Sequence, residues 1–138
     1  MTLAALYLAT FVVFLILDAL MLTFVMNPMF ERLVGHLMLE APKYAVAGVF
    51  YVIYIAGILW FASWPALAEG GGGWRSAAVN GAILGVLAYG TYESVNMATL
   101  KGWSWQTVAF DTLWGGVLTA ACAAGGVLIV QALGLSRG

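Results

Sequence analysis

Residues 11–22 read FVVFLILDALML, an apolar run broken by a single acid, Asp18. A water-soluble amphipathic helix would carry polar residues along one side, and this stretch has none beyond the aspartate. The apolar run extends over residues 3–26, close to the roughly 20 residues needed to cross a hydrocarbon core. The rest of the chain agrees with it. Of 138 residues, 64% are hydrophobic and 8% charged, with a mean hydropathy of +1.00, whereas a soluble domain carries about 25% charged residues. The sequence therefore describes an all-α integral membrane protein.

Hydropathy resolves into four crossings, about 3–26, 44–64, 76–99 and 107–133, which leave almost nothing for a soluble domain. The predicted architecture is one domain over 1–138: four transmembrane helices in a compact bundle, with a short interfacial helix after the first. That helix is read from Met29, Phe30, Leu33, Leu37 and Met38 on one side and Glu31, Arg32 and His36 on the other. It is placed to cover the mouth of a cavity. The first span has no Lys or Arg ahead of it and no small-residue cleavage site, so it is expected to stay in the mature protein. Residues 70–73, four glycines, suit a short flexible loop between two helical hairpins. Four crossings put both termini on one side and the 27–43 and 100–106 connections on the other. Arg32, Lys43 and Lys101 against Arg75 and Arg137 tilt the latter connections toward the cytoplasm. A net charge of −1 offers no basic patch for nucleic acid. The lone Cys122 permits no intrachain disulfide and reads as a packing residue.

Three carboxylates fall inside the apolar runs: Asp18, Glu93 and Asp111. Each costs roughly 2.5–3.5 kcal/mol at a membrane helix centre, and such residues usually face a bundle interior and mark a functional pathway. At ~1.5 Å per residue, all three lie in the half of the membrane nearer the 27–43 and 100–106 connections. Helical spacing then gathers neighbours around them. In the third span Gly81, Gly85, Tyr89, Tyr92, Glu93 and Asn96 share a stripe whose G-x-x-x-G end permits close backbone approach. The fourth span aligns Asp111, Gly115, Thr119, Cys122 and Gly126, with Val, Leu and Ile opposite. The first aligns Tyr7, Phe14 and Asp18, and the second Tyr44, Gly48, Tyr51 and Ile55. An acidic, tyrosine-lined cavity follows. The bland alternative is interhelical glue, with the acids bonding Tyr51, Tyr92 or Asn96, or pairing with Lys101. No E-x-x-H or H-x-x-x-H spacing suggests a metal, no heme or flavin signature suggests a cofactor, and His36 stands alone.

The strings FVVFLILDALML, FERLVGHLMLEAP, FYVIYIAGILWFASWPAL, AYGTYESVNMATLKGWSW and FDTLWGGVLTA resemble the bacterial predicted membrane proteins of the domain of unknown function 2177 family. The resemblance covers nearly the whole chain. Its most specific part is T-Y-[acid]-x-x-N-x-A-T-L-K-G-W at 91–103 followed by D-x-x-W-G at 111–115. This chain departs from the pattern in carrying Glu93 where the family has Asp, and in lacking an aromatic near Met21. The resemblance implies a four-helix protein of the bacterial inner membrane and no particular activity. It carries over Asp18, Tyr92, Glu93, Asn96, Lys101, Trp103, Asp111 and Trp114.

Together with Tyr51, these are the candidate ligand-binding residues. The leading expectation is a non-catalytic protein that binds or translocates a small polar or amphiphilic ligand, proton- or cation-coupled through carboxylates titrating in a low-dielectric site. Membrane lipid and a homodimer joined through Gly81 and Gly85 are the expected partners. The alternative is an accessory subunit of a larger membrane complex. A lipid-modifying enzyme assisted by His36 or Lys101 ranks last, because no nucleophile–base spacing is visible.

Overall fold

The computed structural model describes residues 1–39 and 43–135. Glu40, Ala41 and Pro42 of the first connection, and Arg137 of the charge balance, lie outside the described residues. Every regular element among the described residues is helical. Helix α1 (Thr2–Met21) runs through a π-helical turn (Leu22–Met26) into α2 (Asn27–Val34) and a closing 3₁₀ turn (Gly35–Leu37). Helix α3 (Tyr44–Ile58) likewise passes through a π-turn (Leu59–Ser63) into the short α4 (Trp64–Leu67). The long helices α5 (Gly73–Thr99) and α6 (Trp105–Ala132) complete the chain. The expected interfacial helix is thus α2, joined to α1 without a break.

Both π-turns precede a proline by two residues, in the strings FVMNP (24–28) and FASWP (61–65). A proline in a helix lacks the N–H that would bond residue i−4 and crowds that carbonyl with its ring. Widening the preceding turn accommodates this: the Asn27 N–H reaches Leu22 O, and the Trp64 N–H reaches Leu59 O, each five residues back. The helices therefore continue through Pro28 and Pro65 instead of ending.

Among the described residues, three segments are long and apolar enough to cross a membrane: Thr2–Leu37, Tyr44–Leu67 and Trp105–Ala132. Helix α5, 27 residues long, matches them in length but is less apolar, because Asn80, Thr91, Glu93, Ser94 and Asn96 interrupt it. The polar side chains of the spans are gathered inside the bundle, within a core that also holds Leu6, Phe14, Ile55, Ile58, Leu118 and Val127, and the perimeter is apolar. Thr10, Asp18, Ser63, Glu93, Thr107, Asp111 and Thr119 are buried, while Leu8, Val12, Ile16, Val46, Ile53, Ile83, Leu113 and Val117 are exposed around the perimeter. A soluble protein would not surround its core with so continuous an apolar surface.

Helices α5 and α6 pack along most of their length, and α1 crosses α6. Glycines set both approaches. A Cβ at Gly81 would lie 2.8 Å from the Thr119 carbonyl oxygen, one at Gly85 would strike the Gly115 carbonyl, and one at Gly126 would displace Thr10. The expected packing face on α5 is therefore present, but it is used within the chain. Gly81 and Gly85 are buried against α6, which removes them as the joint of a homodimer. Between the hairpins, Gly70, Gly72 and Gly73 take left-handed φ values of +74°, +88° and +65°, so the glycine run provides a conformation that side chains disfavour. Helix α3 departs from the expected register. Tyr44 is 73% exposed, Gly48 is exposed, and almost every residue of the first two turns faces outward. Its inward face is Tyr51, Tyr54, Ile55 and Ile58, because only the C-terminal half of the helix meets the bundle.

Candidate functional site

The open end of α3 leaves a half-open cavity of about 680 Å³ lined by residues of every long helix. Helix α1 contributes Phe14 and Asp18, the first π-turn Leu22 and Met26, and α2 Phe30; α3 adds Phe50, Tyr51 and Tyr54. From α5 come Ala88, Tyr89, Thr91 and Tyr92, and from α6 Asp111 and Trp114. The wall is mostly aromatic and aliphatic, with two carboxyls set into it from different helices.

Asp18 is 7% exposed and accepts a 2.9 Å hydrogen bond from the Tyr51 hydroxyl. Phe14, one turn earlier on α1, packs edge-on to Tyr51 with ring centroids 5.0 Å apart, which fixes the ring that carries this donor. Tyr54 shares a 2.7 Å hydrogen bond with Thr119. Tyr89 lies directly over Gly115, where any Cβ would enter its ring. The small residues of the α5–α6 seam thus make room for the tyrosines of the wall.

Glu93 stands behind this wall, fully buried. The Trp103 indole N–H donates to its Oε2 at 2.7 Å, and its carboxyl is close enough to interact directly with that of Asp111. Its Oε1 has no hydrogen-bond partner. Two carboxyls in contact are both acceptors unless one holds a proton. The geometry depends on the α5–α6 connection. Gly102, at φ +79°, turns the chain back, and Ser104 caps α6 by accepting from the Thr107 N–H at 3.1 Å. Trp103 is thereby folded inward, 7% exposed and tilted against Phe30 at 5.5 Å. It is an interior residue, whereas Trp105 is 70% exposed, as suits a tryptophan at a membrane interface.

Of the residues chosen from the sequence, Asp18, Tyr51, Tyr92, Asp111 and Trp114 line the cavity, Tyr92 from its exposed edge. Glu93 and Trp103 form the layer behind Asp111. Asn96 is half-buried and outside the lining, and Lys101 is exposed. The partner of Glu93 is the Trp103 indole rather than Lys101, and no ion pair joins Lys101 to either acid among the described residues. His36 is exposed and not part of the wall. Among the described residues no three His, Cys, Asp or Glu side chains converge as a metal site would require. The Trp114 Nε1 and Thr112 Oγ1 are buried without partners. Sequence reading passed over Met26, Phe30, Phe50 and Tyr54 as cavity residues. The i, i+3 pair Tyr51 and Tyr54 was the available signal.

The fold and the site together define a multi-pass helical membrane protein with an acidic, aromatic cavity. The chain belongs to the family described as predicted membrane protein (DUF2177), which it matches over residues 3–128. No curated protein and no solved structure matches it.

Proposed function

We propose that the protein crosses a bacterial inner membrane four times and binds a small amphiphilic ligand in the cavity, with Asp18 and Asp111 as the polar centre. The observation that carries this reading is the cavity itself: about 680 Å³ falls within the roughly 300–1,000 Å³ of small-molecule sites, which are mostly apolar with a few placed polar groups. Carboxyls serving only as glue would close on partners across the helices, as Asp18 does on Tyr51. Asp111 instead faces the void and a second acid. The buried Trp114 N–H, unpartnered in the same region, suits an occupant or water that completes it. The exposed first turns of α3 give an apolar ligand lateral access from lipid. Helix α5 serves as the fourth crossing. At about 1.5 Å per residue it is long enough, and its most costly residue, Glu93, is fully buried while Val79, Ile83 and Leu87 face outward.

The test is native mass spectrometry of the protein extracted in mild detergent, comparing wild type with the Asp18→Asn/Asp111→Asn double variant. A bound small molecule or lipid retained by wild type and lost from the variant supports the reading. An empty cavity in both, with a stoichiometric protein partner, would favour an accessory subunit instead.

A further inference from the structure

We infer that the occupant is a lipophilic cation, an ammonium or phosphonium centre carrying apolar substituents. This rests on the reading of the cavity as a ligand site and adds the sign of the ligand's charge. Among the described residues the wall holds two acids, Asp18 and Asp111, and no Lys, Arg or His, and a third acid, Glu93, lies immediately behind Asp111. The nearest basic residues in sequence to these elements, Arg32 and Lys101, are exposed and outside the lining. An ionised carboxyl removed from water requires an opposite charge or a donor, and Asp18 has one donor, the Tyr51 hydroxyl.

The aromatic part of the wall points the same way. Phe14, Tyr51, Tyr54, Tyr89 and Trp114 surround the void, and the hydroxyls of Tyr51 and Tyr54 are already engaged with Asp18 and Thr119. Their rings are what remains to meet a ligand. Aromatic faces carry negative potential and attract desolvated cations, most familiarly quaternary ammonium groups in aromatic cages. The apolar walls accept the substituents of such an ion. An anionic amphiphile, a fatty acid or a phospholipid phosphate, would instead face like charge on two sides.

The experiment uses two ions of nearly equal size, shape and apolarity but opposite sign, tetraphenylphosphonium and tetraphenylborate. Equilibrium dialysis measures the saturable binding of each to the purified full chain in dodecylmaltoside micelles. The expected result is saturable tetraphenylphosphonium binding that exceeds tetraphenylborate binding roughly 30-fold or more, the scale on which a desolvated charge pair discriminates. The Asp18→Asn/Asp111→Asn variant loses that preference, and Asp18→Asn still offers an oxygen to the Tyr51 hydroxyl. Equal binding of both ions, preference for the borate, or a preference that survives in the variant overturns the inference. The first comparison is made on the wild-type protein, so it stands even if the variant misfolds. Failure to bind either ion also overturns it, and the site reading then stands or falls separately on whether native mass spectrometry finds a retained occupant.

Discussion

Replacing Gly85 by Ala should separate α5 from α6. A Cβ at this position would lie 2.6 Å from the Gly115 carbonyl carbon and 2.7 Å from Thr119 Oγ1. The carbonyl carbon belongs to helix backbone and cannot turn aside. Reaching an ordinary contact of 3.4 Å with that carbon requires the helices to part by at least about 0.8 Å, and more to clear the carbonyl oxygen, which lies nearer; a gap of even 0.8 Å forfeits roughly a quarter to a half of each contact's well, ~0.1–0.2 kcal/mol per atom pair. For a seam with on the order of 50 such pairs the loss is about 1–5 kcal/mol, a range that spans other overpacked cores. Cys122 supplies the assay: it is free and fully buried on α6, so a thiol-reactive fluorophore reports unfolding as the protein is heated in detergent. Gly85→Ala should unfold roughly 5–10 °C below wild type. Gly48→Ala is the control, with nothing within 4 Å of the new Cβ, and should match or exceed wild type, since Ala is the better helix former. Unfolding of Gly85→Ala within about 1 °C of wild type would refute the account of this seam.

Trp103→Phe removes the donor to a fully buried Glu93 and should cost about 1–3 kcal/mol by the same assay, whereas Trp105→Phe, at a 70% exposed position, should change stability by less than about 0.5 kcal/mol. Tyr51→Phe deletes the one hydrogen bond to Asp18 among the described residues and should destabilise by about 1 kcal/mol; no loss in thermal stability would mean that the bond does not hold the acid. Ala88→Phe places a ring in the cavity wall without altering any charge, and should lower retention of a co-purified ligand in native mass spectra while leaving the Cys122 unfolding temperature near that of wild type.

The fold was legible because membrane helices are dictated by apolar length, which a sequence displays directly. Asp18, Asp111, Gly81 and Gly85 were found for a related reason: acids and small residues in apolar runs have few stable places except between helices. The register of α3 was not legible. Tyr44, Gly48, Tyr51 and Ile55 share a face by spacing, yet only the last two meet the bundle, and how far a helix leans from its neighbours is decided by packing that no local pattern records. The inward turn of Trp103 was not legible either, because a tryptophan beside a membrane helix usually sits at the interface. What turns it inward is the left-handed Gly102 and the need of Glu93 for a donor, a pairing across ten residues. The π-turns before Pro28 and Pro65 were likewise hidden, since a proline in a helix signals an end or a kink more readily than a widened turn.

The central claim, that the cavity between α1, α3, α5 and α6 holds an amphiphile, is tested most directly by photolabelling. A diazirine-bearing alkylammonium is incubated with the protein in lipid nanodiscs and activated by light, and the labelled residues are mapped by peptide mass spectrometry. The account predicts labels concentrated on Met26, Tyr51, Tyr54, Tyr89 and Trp114, and reduced there by competing tetraphenylphosphonium. Labels spread over the outer residues Leu8, Val46, Ile83 and Leu113 in proportion to their exposure, with the cavity residues unmarked, would contradict it.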